Sequence, residues 1–362
     1  MEDVRIRGQD GQDRQESSVP KPITSIRDPL SVWVIRSTSA LAIASSLSVA
    51  HAVIVPDRAR PFLKWAGGKR QLLPQLRRFV PTRFEQYFEP FLGSGAMFFD
   101  LASSDKIEGH NAWLTDVNRD LLGTYCAIAE HAEAIIAALN EHERQHRESP
   151  QEHFYRVRDL LFNPQRSPLF GLSPAVPIED YPPTLAAMFI YLNRTGFNGL
   201  FRLNSRGQFN VPAGRYTNPR ICDAENIRAV ARVLGTRRVK IGYGGFESVL
   251  KRAKKDDLLY FDPPYAPLSD TANFTGYTAF GFSNDDQRQL QTVVMELADR
   301  GCHVILSNST ATIILELYDS NRKARSAGLR AYKVPARRAI NSKATHRGEI
   351  AEYIISNVIP KK

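Results

Sequence analysis

A chain in which short apolar runs, each closed by a turn, alternate with stretches of helical spacing has few folds open to it, and that alternation recurs here. Residues 86–90 form an apolar run that breaks into Phe91-Leu92-Gly93-Ser94-Gly95, after which residues 96–102 have helical spacing. Residues 111–115 read as a second strand ending in Asp116, with a helix over 119–128 behind it. Three later pairs follow the same plan: 239–243 with a helix through Ala253, 258–261 with 287–298, and 303–307 with 311–317. A helix between two strands carries the chain back to the end where the first strand began, so such strands pair in parallel. The expected fold is α/β, a doubly wound and mostly parallel sheet that binds ligands at the carboxyl ends of its strands. Residues 329–334 and 350–356 are expected to close one sheet edge.

Two parts of the chain break this plan. Between Tyr125 and Arg238 the pattern changes to polar helices, Pro-rich turns and a hairpin candidate, which reads as an insertion with another task. Its richest stretch, 191–216, mixes Arg194, Arg202, Arg206 and Arg215 with Phe197, Phe201, Phe209 and Tyr216. Arginine can pair with guanine edges and aromatics can fill the space of an unstacked base, whereas a small aromatic core with a solvated arginine rim is the plainer reading of any one of these residues. The net charge of +10 favours an anionic partner such as nucleic acid. At the other end, residues 1–28 are polar and aperiodic and read as a tail. Residues 30–56 are apolar, but Arg36 and His51 interrupt them and Ser and Ala dilute them, so a dispensable extension is expected rather than a membrane anchor. The organised chain is expected to begin near Arg58. Cys126, Cys222 and Cys302 have neither zinc nor disulfide spacing, which fits a reducing, cytoplasmic setting.

The chemistry concentrates at three places. Gly93 and Gly95 lie between a strand and a helix, where the backbone can approach a ligand closely. Two glycines without a third exclude the dinucleotide fingerprint, the lack of a following lysine excludes a phosphate-binding P-loop, and a merely tight connection stays open. Asp116, at the next strand tip, can accept both hydroxyls of a ribose or simply open a helix. Asp262-Pro263-Pro264-Tyr265 says more. An exocyclic amine is a poor nucleophile because its lone pair is delocalised into the ring, so a site that methylates it must hold it by its protons. A carboxylate and a backbone carbonyl on a proline-stiffened turn can do that, and Tyr265 offers a flat face for a base rotated out of a duplex. The alternative, a Pro-rich strand exit with an incidental acid and aromatic, fits less well at the end of a buried strand.

These motifs stand in a recognisable order: PFLKWAGGK at 61–69, FEPFLGSGAMFF at 88–99, TDVNRDL at 115–121, NRTGFNGLFRLNSRGQFNVPAGRY at 193–216 and FDPPYAPLSDTANFTGY at 261–277. With them, residues 60–357 resemble the Dam family of DNA adenine-N6 methyltransferases, of the D12 class and alpha-group motif order. The resemblance implies a Rossmann-like methyltransferase fold, with catalytic segments 57–124 and 239–362 and a mainly helical target-recognition domain at 125–238 that carries a β-hairpin. It implies S-adenosyl-L-methionine as methyl donor, double-stranded DNA as substrate, GATC as the site, no metal, no stable membrane contact and action as a monomer. Carried over position by position, Trp65, Gly67, Gly68 and Lys69 would line the donor's methionine end, Glu89, Phe91, Gly93 and Gly95 its central wall, and Asp116 its ribose. Asp262, which would also border the donor, would hold the adenine amine with Pro263 while Tyr265 stacks on the ring. Phe197 and Asn198 match positions that wedge into the duplex, Leu200, Arg202 and Pro212 positions that read bases, and Lys64 one at the first base of the site. Arg194 and Arg215 are expected beside them on DNA, and Arg337, Arg338 and Lys343 resemble a phosphate-contacting loop. One departure stands out: Gly245 replaces an acid that many relatives place before Phe246 to bind the donor's adenine. Two other functions compete: a non-catalytic DNA-binding descendant, and methylation of another planar amine in RNA or on a protein glutamine.

Overall fold

In the computed structural model, residues 58–65, 67–170, 177–268, 282–336 and 350–362 are described. The readings of residues 1–56, of Arg337, Arg338 and Lys343, and of the end of the fifth motif from residue 269 lie outside them.

Seven strands form one sheet: β1 (Gln86–Glu89), β2 (Asn111–Asp116), β3 (Val239–Tyr243), β4 (Leu258–Phe261), β5 (His303–Ser309), β6 (Arg330–Ala336) and β7 (Ile350–Ser356). Their order is β3-β2-β1-β4-β5-β7-β6. The first five pair in parallel, and β7 inserts antiparallel between β5 and β6. Successive strand residues point to opposite faces, and the core obeys this. Tyr87, Leu258, Tyr260, Ile305 and Ile354 belong to one hydrophobic cluster, while Phe88, Leu259, Phe261, Leu306 and Ile355 belong to another. Both faces are therefore covered, which explains why β4 is apolar at every position. Chain order reverses on either side of β1, so the carboxyl ends of β1, β2 and β4 border the crevice where such sheets bind ligands.

The helix expected over 119–128 extends as Arg119–Glu148, two helical runs meeting at His131 (φ −130°, ψ 34°). It passes through the expected boundary at residue 124 and packs on the Pro183–Thr195 and Ala224–Leu234 helices. Its length and composition would allow it to cross a membrane, yet Leu121, Leu122, Ile128, Ile135 and Leu139 are buried in the first core cluster. Phe201 and Phe209 enter that same cluster, where Phe209 meets Phe162 edge-on at 6.0 Å. The hairpin candidate closes through two isolated antiparallel bridges, Gly196 with Ala213 and Leu203 with Phe209, rather than a continuous ladder.

Candidate active site

Four buried residues of β4 deliver the 262–265 turn to the crevice, and polar side chains from other elements hold it there. The Lys69 ammonium lies 2.8 Å from Asp262 Oδ1, and the Ser307 hydroxyl at the end of β5 donates to the same oxygen at 2.9 Å. Since that proton is committed, Tyr260 donates in turn to Ser307 Oγ at 3.1 Å. Burial pushes the Asp262 carboxyl above its ordinary range, and the Lys69 charge and the hydrogen bonds from Lys69 and Ser307 oppose the shift. Gln287 donates to the Pro264 carbonyl at 3.0 Å and accepts from Asn308 at 3.1 Å. The Asn308 side-chain oxygen accepts the Ala266 N–H at 3.0 Å, and Ser309 donates to the Ala266 carbonyl at 2.6 Å. On the far side Tyr265 donates its hydroxyl to Glu352 of β7 at 2.7 Å, so the antiparallel strand reaches the site. None of Ser307, Asn308, Gln287 and Glu352 is singled out by sequence; only the polar run Ser307-Asn308-Ser309 after an apolar strand hints at them.

The neighbouring glycine turn is built to approach something closely. Gly93 and Gly95 take φ of 46° and 65°, a region that costs most side chains. A methyl at Gly93 would lie 3.0 Å from the Trp65 indole, and one at Gly95 2.9 Å from the Tyr125 hydroxyl. Asp116 accepts the Gly93 N–H at 3.0 Å and the Asn118 N–H at 2.9 Å, while Tyr125 donates to the Gly93 carbonyl at 3.1 Å. Burial raises the Asp116 carboxyl, and the backbone donors pull it back. Glu89 at the end of β1 accepts from Tyr87 OH at 2.7 Å and from Phe98 N–H at 3.1 Å through one oxygen. Burial pushes it up to about 8, and the charge of Asp262 adds to the shift. Phe91 stacks on Phe246 at 5.6 Å and meets Phe282 edge-on at 5.8 Å, an apolar wall beside the turn. Gly67 (φ 78°) and Gly68 form a second turn, closed by the Gly68 N–H on the Trp65 carbonyl at 2.9 Å. Lys69 leaves it to donate to the Gly67 carbonyl at 2.5 Å, and its ammonium lies 4.5 Å from the Tyr265 ring centroid. A methyl at Gly245 would meet the Glu247 carboxylate at 2.5 Å, so an acid stands next to this position in space.

The expected DNA-facing residues gather around a junction that one asparagine fixes. Asn193, 3% exposed, accepts the Lys64 N–H at 2.8 Å and donates to the Lys64 carbonyl at 2.6 Å and the Gly199 carbonyl at 2.9 Å. Lys64 then donates to the Arg194 carbonyl at 2.9 Å and lies 3.7 Å from the centre of the Tyr216 ring. The turn that follows puts Asn198 at φ 54° and leaves Phe197 47% exposed, a large apolar side chain held outward. The Phe197 N–H bonds the Pro212 carbonyl at 2.9 Å, which joins the two arms. Arg202 is exposed and donates to Asn210 at 2.9 Å; Pro212 and Arg215 are exposed, and Leu200 leans on the core. Arg194 is half-buried, with its Nε shielded from solvent. Among the described residues no three His, Cys, Asp or Glu side chains converge to hold a metal.

Comparison with known proteins accords with this geometry. The D12 class N6 adenine-specific DNA methyltransferase family matches residues 65–340. The type II methyltransferase M1.LlaDCHI of Lactococcus lactis is 38% identical over 298 residues, covering 82% of this chain and 95% of that protein. The type II methyltransferase M.MjaIII of Methanocaldococcus jannaschii is 37% identical over 309 residues, covering 82% and 99%. The DNA adenine methylase of Escherichia coli K12 is 33% identical over 295 residues, covering 82% and 94%. With the sheet order, the glycine turn and the tetrapeptide in place, the chain belongs to the D12 class of N6 adenine-specific DNA methyltransferases.

Proposed function

We propose that this enzyme takes its methyl group from S-adenosyl-L-methionine and places it on adenine N6 within GATC in duplex DNA. The observation that carries the reading is one carboxylate, Asp262, and one aromatic ring, Tyr265, both in contact with Lys69 on a proline turn at the tip of β4, beside a glycine turn held by Asp116. The donor fits these residues. Asp116 keeps lone pairs free for two hydroxyls beyond the backbone N–H groups it already accepts, Trp65 covers Gly93, and the Phe91, Phe246 and Phe282 wall suits a flat heterocycle. Glu247, whose carboxylate lies beside Gly245, is the acid available to act in place of the one absent there. When bound, S-adenosyl-L-methionine supplies an electrophilic sulfonium methyl. Asp262 and the Pro263 carbonyl orient the amine, Tyr265 fixes the ring plane, and Asp262 eases loss of the amine proton. The gain comes from positioning and preorganised charge rather than a covalent enzyme intermediate. Labelled methyl incorporation into duplexes with and without GATC tests the reading; equal incorporation into both would remove the site assignment.

Two expected outcomes follow from the geometry. The Lys69 ammonium rests on the Asp262 carboxylate, the Gly67 carbonyl and the Tyr265 face, so it shares two of the partners proposed for the adenine, and it lowers the Asp262 carboxyl toward its ionised form. Lys69→Met is therefore expected to move the acid limb of the single-turnover rate to higher pH, because Asp262 then loses its counter-charge. An unmoved limb would show that Asp262 is held ionised by other groups. Phe197→Ala is expected to reduce the fluorescence gain of 2-aminopurine placed at the target base, since nothing would fill the gap left by its rotation. Unchanged fluorescence would exclude the wedge.

A further inference from the structure

The hairpin arm that carries Asn210, the residue to which Arg202 is bonded, has little ladder of its own, since two isolated bridges close the hairpin. On one edge of the arm the Gln208 carbonyl accepts the Asn204 N–H at 2.8 Å, and the Asn210 N–H donates to the Arg202 carbonyl at 3.1 Å. The other edge is met by side chains in place of a strand. Arg166 donates to the Gly207 carbonyl. Asn163 accepts the Phe209 N–H at 2.8 Å and donates to the Phe209 carbonyl at 3.0 Å. Arg158 donates to the Val211 carbonyl at 3.1 Å. Residues 207, 209 and 211 alternate, as groups on one edge of an extended chain do.

All three side chains come from one helical stretch, Arg156–Phe162 continuing into Asn163–Phe170. The Asn163 N–H bonds the Arg158 carbonyl five residues back, a wide turn that brings both side chains to one face. Such turns are rare in helices and gather at functional sites. Asn163 and Arg166, three apart, are ordinary helix neighbours, and both are 8% exposed. Arg166 is also held from behind. Its Nε donates to Asp120 at 2.7 Å, and Tyr181 donates to the other Asp120 oxygen at 3.0 Å.

We infer that Arg158, Asn163 and Arg166 are positioning residues for sequence readout, which stand in for a neighbouring strand and place the 207–211 arm, and through Asn210 the Arg202 side chain. None of the three needs to touch DNA. An arginine that reads a base edge does so through paired hydrogen bonds, and their geometry tolerates little displacement of the arm that carries them. The tip of the hairpin is fixed separately, since the Asn204 side chain accepts the Arg206 and Gln208 N–H groups, both at 3.0 Å. What the helical stretch adds is the placing of the arm against the body of the protein. The inference rests on duplex DNA containing GATC being the substrate.

The test is the ratio of kcat/KM on a GATC duplex to that on each single-base variant, measured with the full chain. Asn163→Ala removes both bonds to Phe209. Arg166→Lys keeps a cation on Asp120 and gives up the second arm of the fork on Gly207. Arg202→Ala, alone and combined with Asn163→Ala, identifies the base pair that Arg202 reads. Arg202→Ala is expected to lower the ratio at that pair by about tenfold or more. Asn163→Ala should lower it at the same pair by about tenfold and Arg166→Lys by about threefold, whereas Asn163→Ala should add less than about twofold once Arg202 is alanine. Ratios intact in both single variants, ratios lowered evenly at every base pair, or effects of Asn163→Ala and Arg202→Ala that multiply would each overturn the inference. Loss of a cooperative urea transition in both single variants overturns it as well, because the residues then serve the fold. A parent chain that treats all duplexes alike removes the GATC reading and this inference together, and that failure is visible before any variant is compared.

Discussion

Asp262→Ala is expected to lower single-turnover methyl transfer by about a hundredfold or more while duplex affinity stays within about threefold of the parent. The carboxylate lies at the tip of β4, held by Lys69 and Ser307 on elements other than the Phe197–Asn198 turn, so the residues proposed to meet the duplex are expected to keep their places. What is lost is the acceptor that orients the amine, and a misaimed lone pair cannot be repaired by tighter binding of the base. The alanine also strips Lys69 of its ion-pair partner in a site where that lysine is 7% exposed, so some loss of stability accompanies it. Asp262→Asn separates the two effects. It preserves shape and leaves Lys69 a carbonyl acceptor, and it should still transfer slowly because one oxygen becomes a competing donor. Parent-like turnover in Asp262→Asn and Asp262→Ala alike would remove this residue from the mechanism.

The second large effect belongs to Asn193, a buried residue. Asn193→Ala leaves the Lys64 N–H and the Lys64 and Gly199 carbonyls without their side-chain partner in a largely buried junction. At roughly 1 to 3 kcal/mol for each unsatisfied group, with partial relief from relaxation, a loss of about 3 kcal/mol in unfolding free energy is expected. Gly199 cannot compensate by reshaping the turn: it sits at φ 64°, and a methyl there would lie 2.4 Å from Lys64 Cβ. The functional consequence exceeds the stability loss. With the turn freed from Lys64, Phe197, Asn198 and the Pro212 arm no longer share a fixed geometry, so discrimination between GATC and single-base variants should fall by about tenfold or more at temperatures where the protein is still folded. A urea midpoint shift with discrimination intact would mean that the junction serves the fold and not the reading of DNA.

Much of this architecture is written locally. The β-strands are legible because each is a short apolar run between turn residues, and Leu258–Phe261 announces burial on both faces by having no polar position at all. The tetrapeptide is legible because proline and acid at a strand exit are locally unusual. What is not legible depends on partners far apart in sequence. Nothing in the run around Lys64 announces Asn193 or Tyr216, and nothing near Tyr265 announces Glu352. The antiparallel entry of β7 between β5 and β6 is likewise a matter of pairing, to which the 350–356 run alone is indifferent. The aromatics of 191–216 show the limit most clearly. Phe197, Phe201 and Phe209 look alike in sequence, yet the first faces outward and the other two join the core, because the left-handed turn at Asn198 and Gly199 reverses the chain between them. A feature set by backbone conformation at two residues leaves no periodic trace.

The most direct measurement of the central claim is base-resolution mapping of products after the full chain acts on mixed-sequence duplex DNA with isotope-labelled S-adenosyl-L-methionine. The account predicts label on adenine N6, confined to GATC, made by the parent chain and abolished by Asp262→Ala. Label on cytosine, on adenines regardless of flanking sequence, or on GATC adenines at undiminished rate in Asp262→Ala would contradict it.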